Sequence, residues 1–221
     1  YAECTREIAK TRVPADDTDA RVMFDMLRGI DAETRARLTA HVSPEQASYM
    51  ARRPAQGTRV WLVRNALAVA ADSYRKVLAQ VPGDREATLR LARVAIERER
   101  FDEAASLLTP LLQTPCPDVI CGLAWLFAGD LHEARRDPAQ ASAAFARASS
   151  VPSVRAAALM ALVQGNLRRG DTAAAYALTT QFTAVNTRAA GHLPNAWLAY
   201  TGGHPLDPGR GLPPLRAEVV R

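Results

Sequence analysis

Apolar residues recur along this chain at helical rather than strand spacing. Val22, Met23, Met26, Leu27 and Ile30 fall on one helical face near the start. In the segment Phe101 to Leu108, the small Ala104 precedes the bulky Leu108 by four residues, one helical turn. The same small-then-bulky step occurs at Ala70 and Tyr74, at Ala141 and Phe145, and more weakly at Ala175 and Thr179. The intervals between these alanines are 34, 37 and 34 residues, and a fixed period in that range marks a helical solenoid. A small residue lets two antiparallel helices approach, and a bulky one a turn later fills the gap toward the next pair. One pair cannot bury its own apolar face, so stacked neighbours complete the core.

Turn and cap residues divide the pattern into elements. Pro82-Gly83-Asp84 ends one helix and starts the next, with Asp84 as N-cap. Asp137-Pro138 puts proline in a first helical turn, where it is tolerated. Ser153 is expected to open the run Val154 to Leu167, and Gly170 to stop it. Ser43-Pro44-Glu45-Gln46 reads as a capping box, and Asp31 as the cap of a separate short helix through His41. These signals predict two or three short helices over residues 1–56, covering the first exposed repeat face. Beyond about Gly191 the chain changes character. Asn195 to Tyr200 can form a helical turn carrying Trp197, and the closely spaced glycines and prolines after Gly202 predict an extended tail.

The repeated residues resemble the tetratricopeptide repeat family, whose pattern is W-x2-L-G-x2-Y, then A-x3-F, then P. Trp125, Ala128, Gly129 and His132 stand at the first-helix positions, followed by Ala141, Phe145, Ala148 and Pro152. Leu91, Ala92, Ala95, Phe101, Ala104, Leu108 and Leu111 form a second match. Ala70, Tyr74, Val77 and Pro82 match in the second half only, and Leu159, Leu162, Gly170, Asp171, Ala175 and Phe182 trace a fourth unit. The resemblance runs from about Thr58 to Thr187. It implies an all-α fold, a right-handed α-solenoid of antiparallel helix pairs with about four units, near residues 51–84, 85–118, 122–155 and 156–189. The expected division is a helical N-terminal cap over 1–56, repeats over 57–187, and a short helix with a Gly/Pro-rich tail over 188–221.

The resemblance also implies a function. First helices of such arrays line a concave groove that receives a partner peptide or helix. Carried over position by position, the groove comprises Leu89, Arg93, Ile96 and Glu97, then Leu126, Asp130 and Glu133, then Met160, Gln164, Leu167 and Arg168. The subfamily that clamps chaperone carboxylates needs polar groups where this chain has Leu89, Leu123 and Phe127, so that partner is not expected. The reading is a protein-binding scaffold or assembly adaptor. A structural subunit of a bacterial envelope assembly and the docking part of a longer enzyme are the alternatives. The tail, 202–221, is expected to dock on another chain, because glycines and prolines bury too little to order themselves.

Composition narrows the alternatives. Alanine, leucine and arginine dominate, all favourable in helices. The net charge is +5, but basic residues alternate with acids, as in Glu97-Arg98-Glu99-Arg100, so nucleic acid is not an expected partner. No stretch reaches the ~18 apolar residues of a membrane span. The four histidines lack metal-ligand spacing, and no nucleophile motif or phosphate loop is present, so no catalytic residue, metal or cofactor is expected. Cys116 and Cys121 stand five apart, not at zinc or thioredoxin spacing. Two free thiols are expected there, Cys121 in the core. The competing disulfide would imply an oxidising compartment.

Overall fold

The computed structural model describes residues 17–52, 54, 56–113, 116, 118–188, 196–201 and 206, with backbone alone at 184–188, 196, 198 and 199. These residues are overwhelmingly helical. In order they form α1 (Thr18–Ala40), α2 (Pro44–Ala51), α3 (Thr58–Gln80), α4 (Arg85–Glu97), α5 (Phe101–Leu108, continued by a 3-10 turn Thr109–Leu111), α6 (Val119–Ala134), α7 (Pro138–Ser149), α8 (Arg155–Arg168), α9 (Thr172–Arg188) and α10 (Ala196–Thr201). The pairs α1–α3, α4–α5, α6–α7 and α8–α9 pack side by side, and α4 packs on α6 and α7 on α8. Stacked helix pairs are the architecture of a helical solenoid.

Local chemistry accounts for the boundaries. Asp84 accepts from the Ala87 amide at 2.8 Å, Asp118 from Cys121 at 2.9 Å and Asp137 from Gln140 at 3.1 Å, each satisfying a donor the helix start leaves free. Ser43 and Gln46 close the capping box at α2. At the end of α8, Gly170 has φ +78°, a left-handed conformation that glycine adopts without strain.

Two contacts show how the pairs close. Gly129 in α6 lies directly under the Phe145 ring of α7, and Gly29 in α1 lies under the Tyr74 ring of α3; a Cβ at either glycine would overlap the ring. Phe145 and Tyr74 are buried, as are Ala70, Ala104, Ala141 and Ala175 at the expected close crossings. Buried side chains of α4 to α8 form one core, and those of α1, α3 and α4 a second.

Three expectations need correction. Asp31 does not start a helix: α1 runs unbroken from Thr18 to Ala40, and Asp31 sits inside it, paired with Arg35 at 3.0 Å. Ser153 is not the cap of α8, which begins after Val154 with no side-chain cap. Trp125 packs against the core at its edge, donating its indole N–H to the Gln113 carbonyl at 3.2 Å under the Arg147 guanidinium. Cys116 and Cys121 are joined in a disulfide instead of remaining free thiols, although Cys121 does enter the core. Their Cα atoms are 5.7 Å apart, within the range a disulfide spans. Among the described residues no helix is long and apolar enough to cross a membrane.

Candidate partner-binding groove

The helices α4, α6 and α8 carry the residues expected to line the groove, and α1 continues their face. Their charged residues are stitched to each other at nearly the repeat spacing. Arg93 of α4 pairs with Asp130 of α6 as well as with Glu97 at 3.0 Å, and Glu133 of α6 pairs with Arg168 of α8. Arg85 at the start of α4 pairs with Asp118 at the start of α6. These pairs span 33 to 37 residues in sequence, so the repeat brings them together. Burial pushes the Asp130 and Glu97 carboxyls up, against the downward pull of the Arg93 guanidinium.

Arg93, Leu126, Asp130, Met160 and Gln164 converge on one cavity of about 540 Å³. Ala156, Ala157, Ala161, Phe182 and Trp197 complete its wall. The remaining expected residues lie elsewhere. Leu89 and Ile96 are buried core residues, Leu167 and Arg168 are exposed beyond the cavity, and Glu97 and Glu133 serve as ion-pair partners.

The other end of the face is filled by the chain itself. α10 lies on it, with Tyr200 wholly buried against Phe127 at a ring distance of 5.1 Å and Trp197 edge-on to Phe127 at 6.4 Å. The Tyr200 hydroxyl donates to Glu33 of α1. Glu33 is completely buried and also accepts from the Tyr74 hydroxyl at 2.8 Å, from Arg37 at 3.1 Å and from Arg90 at 3.5 Å. Arg90, equally buried, donates to Glu86 at 2.9 Å and stands 4.8 Å over the Tyr200 ring. A buried carboxylate is tolerable only when so many donors meet it. Burial pushes both phenols, Tyr74 and Tyr200, well above the ordinary tyrosine value, and the Glu33 charge adds to the shift.

This cluster was missing from the sequence expectations. Glu33 and Arg90 look like ordinary helix-surface charges in the sequence, and Tyr200 lies 167 residues from its acceptor. Leu206 extends the contact: it packs on the core and its amide donates to Glu86 at 2.9 Å. That part of the tail meets its own chain. The rest of 202–221 lies outside the described residues, as does Cys4. Among the described residues no cluster of His, Cys, Asp or Glu could hold a metal ion.

No curated protein and no solved structure matches the chain significantly. Residues 64–114, most of α3 together with the α4–α5 pair, match the family model of the tetratricopeptide repeat. Repeats of this family mediate protein–protein interaction and are typically non-catalytic. Stacked helix pairs, small residues facing aromatic rings and the match over residues 64–114 all fit an all-helical solenoid.

Proposed function

We propose that the protein is an interaction scaffold or assembly adaptor that holds a segment of a protein partner along the first-helix face, as one component of a larger complex. The observation that carries this reading is the seat of α10. A short aromatic helix already lies on the face expected to receive a partner, while the adjoining cavity stays open to solvent beside Met160 and Gln164. The open stretch is apolar at Leu126, Ala157 and Met160 and polar at Asp130 and Gln164, the mixture that suits an amphipathic peptide. No catalytic role is assigned to this chain. The Cys116–Cys121 disulfide favours an oxidising compartment such as the bacterial periplasm or envelope.

Met160 is 40% exposed, so Met160→Asp leaves the core intact. With the protein isolated from its native source under mild conditions, Met160→Asp is expected to lose the co-purifying partner. Ser106→Asp, exposed on the second helix of the α4–α5 pair, is expected to keep it. Retention of the partner by both variants would remove the groove from the account.

A further inference from the structure

The seat of α10 specifies a chemistry as well as a place. Trp197 and Tyr200 are one turn apart, so both reach the same face and stack at 6.1 Å. The face offers each a complementary group: the Phe127 ring edge for both aromatics, the Glu33 carboxylate for the phenol, and the Arg90 guanidinium over the phenol ring. Arg37 donates to the carbonyls of Tyr200 and Thr201 at 3.5 and 3.3 Å, where a helix end leaves acceptors unpaired. Glu86 then accepts from the Leu206 amide as the chain leaves. Together these groups read a helical turn with aromatics at i and i+3, the second a tyrosine.

Two further observations make this seat exchangeable. Glu33 keeps Tyr74, Arg37 and Arg90 as partners when Tyr200 is withdrawn, so the site stays neutralised without its occupant. α10 is also only six residues long, too short to be helical on its own. It fills only part of the face, leaving the 540 Å³ cavity past Trp197 open. A longer helix with the same two aromatics would cover both.

We propose that this face selects partner helices carrying an aromatic residue three positions before a tyrosine, and that α10 and Leu206 of the chain occupy the site until such a helix displaces them. This names the partner class of the groove reading and rests on it. Displacement is a competition, so the apparent affinity of a partner is reduced by the fraction of chains whose own segment is seated.

The probe is a fluorescein-labelled peptide of residues 193–206, followed by anisotropy on the full chain. The full-length variant Trp197→Ala/Tyr200→Ala should bind it at least about tenfold more tightly than the unaltered chain. A peptide with phenylalanine at its Tyr200 position should lose about tenfold through the missing bond to Glu33. Should the double variant fail to fold, the unaltered chain labelled with ¹⁵N serves instead. Its Tyr200 and Leu206 amide signals should move to unfolded-chain positions as unlabelled peptide is added. Equal binding by the unaltered chain and a folded double variant, or amide signals that stay put at saturating peptide, would overturn the proposal. Equal binding alongside a partner lost on Met160→Asp overturns this inference and leaves the groove reading standing. Tighter binding by the double variant alongside a partner retained on Met160→Asp upholds the exchangeable segment and removes the groove reading.

Discussion

Replacing Gly129 by alanine sets two effects of known size against each other. In the interior of a helix such as α6, alanine is better than glycine by about 1 kcal/mol. The new Cβ, however, overlaps three atoms of the Phe145 ring, Cδ1, Cε1 and Cζ. That ring is only 2% exposed and is enclosed by the core of α4 to α8, so it has little room to swing aside. Overpacking of this kind costs about 1–3 kcal/mol, and three overlapping ring atoms place the cost toward the upper end. The net expectation is a loss of about 1–2 kcal/mol, a fall in Tm of roughly 2–8 °C for a chain of this size. Gly83→Ala is the control, since a Cβ there meets nothing within 4 Å and the change should be neutral or slightly favourable. Thermal and urea melts of Gly129→Ala, Phe145→Leu and the double variant complete a cycle. Because leucine makes room for the Cβ, the coupling should be at least about 1 kcal/mol. A Gly129→Ala protein as stable as its parent, or additive single effects, would show that α6 and α7 do not close on this contact.

Four other outcomes follow from the same structure. Phe145→Ala should cost about 3–5 kcal/mol in a denaturant melt, because the cavity opens in the middle of the larger core. Glu33→Ala should cost about 3–5 kcal/mol by leaving the buried Arg90 guanidinium poorly compensated, with Glu86 as its remaining carboxylate. In an absorbance titration, Tyr74 and Tyr200 should ionise only well above pH 10. Their raised values mean the fold favours the neutral phenols. That stabilisation is complete below about pH 10 and is lost as the pH rises through the folded values, so a melting point that holds steady into that alkaline range would contradict it. Thiol labelling of the denatured, non-reduced chain should leave Cys116 and Cys121 unreacted, and reduction should lower stability by about 2 kcal/mol, the closure entropy of a loop this short.

The array was legible in the sequence because its cause is local. Ala70, Ala104, Ala141 and Ala175 recur at repeat spacing because each is the small side of a helix crossing, and Asp84 and Asp137 announce helix starts by capping them. The first pair was not legible in the same way. Gly29 meets Tyr74 as Gly129 meets Phe145, but the interval is 45 residues instead of 16, because the connection carrying α2 intervenes. Asp31 suggested a break since an acidic residue before a polar stretch resembles an N-cap. Helical pairing with Arg35 and burial against the core override that propensity. Position in the repeat picked out Arg93, Leu126, Asp130, Met160 and Gln164, which line one cavity, but it could not foresee charges paired across the repeat, as Glu133 is with Arg168. Nothing local marks Glu33 or Tyr200, whose meeting depends on the chain returning to its beginning.

The central claim is that the first-helix face is where a protein partner sits, and site-specific photo-crosslinking tests it most directly. A photoreactive residue is placed at Met160, which lines the open cavity, or at Ser106, exposed on α5, and the protein is irradiated in its native source. The account predicts one discrete cross-linked protein from position 160 and none from position 106. The same species cross-linking equally from both positions, or from 106 alone, would contradict it.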